Sequence, residues 1–185
     1  MHQNANVTFN TNESLLLMAT LLSLQPRSSG GGSGGMTSDD VVIELATSFE
    51  AQAPVILEME EQGPTTFVIQ SNGLMNSIAI CLAQEMIKFN RLLNTMSKSL
   101  KDIKKAIRGM IVMSSDLDAM YTAFLNNQLP SIWERASFAS LKSLGSWVND
   151  LIFRVAFMRK WLKNGQPAAF ALPVFFFPQV GRCVL

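Results

Sequence analysis

Residues 76–109 read NSIAICLAQEMIKFNRLLNTMSKSLKDIKKAIRG. Stepping by four and three from Leu82 lands on Met86, Phe89, Leu93, Met96, Leu100, Ile103, Ile107 and Met110, all large and apolar. The same stepping reaches back to Ala79 and Met75. A 4-3 spacing held over about four heptads predicts one helix with a narrow apolar seam. Asn76 can cap its start, because its side chain accepts from first-turn amides. Gly109 sits where such a helix ends, since glycine tolerates the left-handed conformation. Some 33 residues make a rod of roughly 50 Å. A rod of that length exceeds one ordinary globular core, so other helices or another polypeptide must cover the seam.

Two arrangements satisfy that need: the spine of a helical bundle, or one strand of a two-stranded coiled coil. The bundle is the expectation. Ile80, Ile87 and Leu92 widen the apolar face beyond the seam, as packing into a globule requires. Phe89, Met96 and Ala79 make the seam uneven, which suits irregular neighbours better than knobs in holes. The expected fold class is mainly α, a bundle around one long helix at about residues 76–108, with little β.

Outward from this spine, the 185 residues leave room for one domain. The charged fraction is 16% and the hydrophobic fraction 48%, so the protein buries much of itself or awaits a covering partner. The net charge of +1 hides an asymmetry. Residues 1–75 carry Arg27 against eight acids, whereas residues 76–110 carry seven bases against Glu85 and Asp102. The two parts are expected to attract each other within one fold, and a nucleic-acid partner is not expected.

Ahead of the spine, Glu13–Leu24 (ESLLLMATLLSL) reads as a short apolar helix ended by Pro26, and Ser28–Gly35 (SSGGGSGG) as a flexible linker. That linker lacks the Lys-Ser/Thr ending and the preceding strand of a phosphate loop. Thr37 caps a helix from Ser38 to about Gln52 that buries Val41, Val42, Leu45 and Phe49, with Pro54 preventing continuation. Thr65–Ile69 is expected to form a short strand before a Ser71-Asn72-Gly73 turn. Behind the spine, Ser114 restarts a helix to about Leu125, and Ser131–Ala136 makes one turn around Trp133. A last helix opens at Leu144 or Gly145 and ends at Asn164-Gly165. Trp147, Leu151, Phe157, Met158, Trp161 and Leu162 form its apolar side; Arg154, Arg159, Lys160 and Lys163 form the other. The tail AAFALPVFFFPQVGRCVL (168–185) is extended by composition, with Pro173 and Pro178 opposing a helix. Its apolar side chains must fold back on the helices or stay exposed; its phenylalanines are an association hazard, and its removal is expected to raise solubility.

No catalytic, cofactor-binding or metal-binding set is found. The single histidine, His2, can build neither a triad nor a metal cluster. Cys81 has no histidine partner and reads as a buried free thiol; with only Cys183 besides, no disulfide framework is expected and the protein reads as intracellular. MHQNANVTFN is not a signal peptide, so the sequons at Asn6 and Asn12 read as chance. No run approaches ~20 apolar residues, so no membrane partner is expected. Asp116 and Asp118 suit a helix N-terminus rather than acid–base work. Lys98, Lys101, Lys104, Lys105 and Arg108 make a basic helix end, open to an acidic partner surface or simply to solvent.

Several stretches carry a family resemblance. QEMIKFNRLL (84–93), SLKDIKKAIRGMIVMSSDLDAMYTAFLNNQLPSIW (99–133) and SFASLKSLGSWVNDLIFRVAFMRKWLKNGQP (137–167) closely resemble the C-terminal domain of dynein heavy chains, of the axonemal kind. HQNANVTF (2–9) is similar to the segment opening that domain after the last AAA+ module, and FFFPQ (175–179) to another landmark. The resemblance implies residues 1–75 as lead-in helices and linker, residues 76–167 as the helical core, and residues 168–185 as an apolar tail. It implies a structural part of an ATP-driven, minus-end-directed microtubule motor of cilia and flagella, located in the cytoskeleton. The partners it implies are the AAA+ ring of the parent heavy chain, dynein intermediate and light chains, and microtubules. ATP and Mg belong to the family's upstream modules, and no family catalytic residue maps onto this sequence. The alternative is a free-standing helical interaction module. Two departures are visible. Pro173-Val174 replaces a small Ser-Gly pair, and VGRCVL stands where the family continues into a helix and a β-rich end. They imply a splice form, a gene fragment or a cut piece.

Overall fold

The computed structural model describes residues 36–168 and 172–176. The expected Glu13–Leu24 helix, the Ser28–Gly35 linker, His2 and Cys183 lie outside those residues. The elements are α1 (Ser38–Gln52), α2 (Ser77–Ile107), α3 (Ser115–Leu125), α4 (Ser131–Glu134) and α5 (Leu144–Asn164), with 3-10 turns at Met59–Glu61 and Leu172–Val174. The spine is α2. It packs against α1, α3, α4 and α5, while α5 also packs on both 3-10 turns. The bundle expectation holds, and no strand is present among the described residues.

Local chemistry explains the helix ends. Asn76 accepts from the Ile78 amide at 3.1 Å to start α2. At its end Gly109 takes φ 72°. The Gly109 amide donates to the Ala106 carbonyl and the Met110 amide to that of Lys105, both at 2.9 Å. This crossed pair satisfies carbonyls that the helix leaves open and turns the backbone away. Thr37 and Asp40 close a capping box on α1, and the Ser114 hydroxyl accepts from the Leu117 amide to start α3.

The α2 seam is buried from Ala79 through Ile103. Beyond it four residues depart from expectation. Ile107 is half-buried, and Met110 lies past the helix end and is exposed. Leu92 is buried as expected, but Ile80 and Ile87 are exposed, because the neighbouring helices cover only the side of α2 opposite them. On α1, Val42, Ala46 and Phe49 are buried, with Val41 and Leu45 half-buried. Aromatic rings link the layers. Trp133 stacks on Trp147 with centroids 5.7 Å apart, and Trp147 stacks on Phe138 at 5.8 Å. The Trp133 indole donates to Ser99 on α2 at 2.8 Å, and Ser99 donates on to the Met96 carbonyl at 3.0 Å. Ser99 thus lets an indole N–H be buried without loss of its hydrogen bond.

Thr65–Ile69 is not a strand; a single antiparallel bridge joins Ile69 to Met75. These residues serve another purpose. The Gly63 amide donates to the Leu162 carbonyl at 2.9 Å and the Thr66 hydroxyl to the same oxygen at 2.7 Å. The turn therefore caps the C-terminus of α5. Only glycine fits at residue 63, since a Cβ there would lie 2.0 Å from the Lys163 carbonyl oxygen.

Of the two courses open to the tail, its described residues 174–176 fold back on the helices. Val174, Phe175 and Phe176 are buried. Phe176 meets Phe89 edge-on at 5.4 Å and Phe138 at 5.9 Å. These residues complete the core, so their removal is expected to lower solubility rather than raise it. The reason is geometric: α2, α5 and the 137–142 loop leave an apolar gap that these side chains fill.

Candidate interaction surface

Among the described residues no group of histidine, cysteine, aspartate or glutamate is placed to hold a metal, and no helix is long and apolar enough to cross a membrane. Two features of the structure bear on function: the outward face of α2 and the polar contacts that hold the tail.

The outward face follows its own 4-3 stepping. Ile80, Gln84, Ile87, Arg91, Asn94, Lys98, Lys101, Lys105 and Arg108 are all exposed. They form one stripe because steps of four and three return to one side of a helix. From residue 80 to residue 108 the stripe is roughly 42 Å long. It opens with Ile80 and Ile87, 44% and 69% exposed, and becomes basic from Arg91 onward. None of Arg91, Lys98, Lys101, Lys105 and Arg108 forms an ion pair with another described residue. Beyond the stripe Met110, Ile111, Val112 and Met113 are exposed, Val112 by 90%. Four exposed apolar residues in sequence are a mark of a contact surface. Of the basic residues expected at this helix end, Lys104 faces elsewhere and pairs with Glu50 of α1. That pair realises the expected attraction between the acidic lead-in and the basic spine.

The tail is held from two sides. The Glu85 carboxylate, fully buried on α2, accepts from the Phe176 amide at 2.6 Å and from Lys88 at 2.9 Å. A buried carboxylate requires such partners, because an unpaired one is costly. From α5, Arg154 donates to the Phe175 carbonyl at 2.9 Å and its guanidinium sits 3.8 Å from the Phe138 ring centroid. Asp150 orients Arg154 at 2.9 Å and also meets Lys142 at 2.8 Å. Burial alone would raise the Asp150 carboxyl, but the hydrogen bonds from Lys142 and Arg154 prevail and hold it below its ordinary value. Burial, then the Glu85 charge, pushes the Cys81 thiol up, which makes it an unreactive core residue.

Arg154 and Arg159, expected on a polar outer side of α5, are corrected to structural ties. Arg159 donates to the Val55 carbonyl at 2.6 Å and to that of Ile56 at 3.0 Å. Its Nε faces Glu61 at 3.2 Å, a charge contact without hydrogen-bond geometry. Lys163 meets Glu61 at 3.2 Å as well. On the other side Asn90 of α2 grips the Leu57 backbone with both amide atoms, each at 2.8 Å. Asp116 meets Arg135 at 3.0 Å on the surface, a pair of little energetic weight. Sequence reasoning missed the Met110–Met113 surface by extending the seam to Met110. The Gly109 break was the signal that the seam ends before it.

Comparison with known proteins adds an independent observation. The profile of the family described as the C-terminal domain of the dynein heavy chain matches residues 11–180. Over 179 residues, 97% of this protein, the sequence is 45% identical to human dynein axonemal heavy chain 6. Over the same length it is 39% identical to rat dynein axonemal heavy chain 1 and 35% identical to mouse dynein axonemal heavy chain 3. The matched stretch spans about 4% of the length of each of these relatives.

Proposed function

Because this protein belongs to the family of C-terminal domains of dynein heavy chains, we propose that it is a structural segment of an axonemal dynein heavy chain, seated on the AAA+ ring and without catalytic machinery of its own. In this reading it works through its parent, the ATP-driven, minus-end-directed microtubule motor of cilia and flagella. ATP and Mg belong to that motor's other modules. Intermediate and light chains and microtubules are its partners through the whole assembly, and the ciliary or flagellar axoneme is its place in the cytoskeleton.

The exposed stripe of α2 carries this reading. Five cations without ion pairs in the described residues, flanked by Ile80 and Ile87 at one end and Met110–Met113 at the other, fit an acidic surface with apolar ends. The test is a titration of the protein with a dynein ring lacking its C-terminal domain. Replacing Lys98, Lys101 and Lys105 by Glu is expected to weaken binding about tenfold or more. Affinity of the unaltered protein is expected to fall as ionic strength rises. An affinity unchanged by both treatments overturns the reading.

One observation favours a second reading, a free-standing helical interaction module. The core closes on itself through Val174, Phe175 and Phe176, as an independently folded unit requires. Sedimentation separates the two. A stable monomer or dimer with no affinity for the ring supports the module, while association relieved by the ring supports the segment.

A further inference from the structure

We infer that the exposed stripe of α2 takes a single partner helix, laid antiparallel along it, acidic in its N-terminal part and apolar toward its C-terminus. The inference rests on the reading of this stripe as the docking face and narrows the partner to one element. Three observations select it.

The first is the shape of the opening. From residue 80 to the cap residue 108, the exposed positions are 80, 84, 87, 91, 94, 98, 101, 105 and 108, and every position between them is buried or half-buried. The spine is thus covered except along a slot one residue wide and roughly 42 Å long. A strict 4-3 stripe is the footprint of one helix in a coiled-coil seam, narrower than the face a helix turns into a globule. Its period of 3.5 residues winds by about 20° per heptad around a straight helix. A flat surface cannot follow that winding over about four heptads, whereas a helix that supercoils on α2 can.

The second is the order of side chains along the slot. Ile80, Ile87, Asn94, Lys101 and Arg108 recur every seven residues. The slot is therefore apolar near the start of α2, carries an amide at its middle and is basic at its end. An asparagine at such a position fixes the register of paired helices. The matching partner places apolar residues opposite Ile80 and Ile87 and acids opposite the stretch from Arg91 to Arg108. Its own dipole favours acids in a helix's first turn, so the partner's N-terminus lies at Arg108 and the two helices run antiparallel.

The third is charge that this polypeptide leaves unneutralised. The five cations of the slot form no ion pair with a described residue. Outside the described residues Glu13 is the one acidic side chain in the sequence. A second copy does not fit either. Laid parallel it sets cation against cation, and laid antiparallel it sets cations against Ile80 and Ile87.

The experiment titrates the full-length protein with three synthetic peptides of about 28 residues, or four heptads. The first carries Glu at the seam positions of its N-terminal half and Leu at those of its C-terminal half. The second has the same residues in reverse order, and the third is the first with two central prolines off the seam, which break a helix. The first is expected to bind about tenfold or more tighter than either of the others. It is expected to weaken by a similar factor when Lys98, Lys101 and Lys105 are replaced by Glu, with thermal melting to check that this variant folds. No saturable binding of the first peptide overturns the inference. So does equal affinity for the first and second, for the first and third, or tighter binding of a single-stranded DNA of the same charge. A dynein ring lacking its C-terminal domain separates this inference from the segment reading. Displacement of the first peptide by the ring supports both. Ring binding without displacement overturns the inference and leaves the segment reading standing; peptide binding with no affinity for the ring does the reverse.

Discussion

Replacing Phe176 by Ala removes a ring that is 6% exposed and touches Phe89 at 5.4 Å and Phe138 at 5.9 Å. Loss of a buried Phe ring destabilises by about 3–5 kcal/mol, transfer and cavity terms together. The two edge-on ring contacts place this site toward the upper half of that range, since each such pair is worth about 0.5–1.5 kcal/mol beyond area. The backbone is unchanged, so the Glu85 bond to the residue 176 amide remains and the effect isolates the ring. At roughly 2–4 °C per kcal/mol for a domain of this size, the melting temperature is expected to fall by about 6–20 °C. Urea unfolding gives the free energy directly; an unchanged slope shows that the exposed surface on unfolding has not changed. Phe153→Ala is the control, because Phe153 is 62% exposed on α5 and its loss is expected within about 0.5 kcal/mol. Equal effects at the two sites would show that residues 172–176 are not part of the core, and the account of the tail as a completing element would fall.

Three further outcomes are expected. Phe89→Asp puts an unpaired carboxylate into the fully buried seam and is expected to unfold the protein or destabilise it by several kcal/mol, whereas exposed Lys101→Asp should change stability by ~0.5 kcal/mol or less, both read from urea midpoints. The Asp150 carboxyl is held below its ordinary 3.8, so its contribution is present above about pH 4 and is lost as pH falls through the lowered folded value. In Asp150→Asn this part of the acid sensitivity disappears, and a melting-temperature profile from pH 7 to pH 2 with unchanged shape would refute the assignment. Finally, no micromolar binding and no hydrolysis of ATP are expected of the isolated protein, since neither a phosphate loop nor an acid–base pair is found in the sequence; a saturating nucleotide titration would contradict it.

Much of the bundle was legible in the sequence because its signals are local. The 4-3 spacing from Ala79 to Ile103, the Asn76, Thr37 and Ser114 caps and the Gly109 stop each depend on residues within a few positions. The backbone satisfies its hydrogen bonds locally there, so propensity and periodicity decide the outcome. The candidate surface was half legible. The basic residues were visible, but whether Lys104 faces α1 or solvent depends on which neighbour covers that side.

What only the tertiary structure decided are the pairings between distant positions: Trp133 with Ser99, Phe176 with Glu85, Arg154 with the Phe175 carbonyl, and Thr66 with the Leu162 carbonyl. Each pairs a polar group with one 21 to 96 positions away. Their partners are not determined by spacing but by which groups burial leaves unsatisfied. The composition of the tail left open whether it folds back or stays exposed; Val174, Phe175 and Phe176 become core because α2 and α5 leave a gap of their shape. The helices are thus properties of short stretches, while the covering of the spine, and the faces left open to a partner, follow from close packing and from the cost of an unpaired buried polar group.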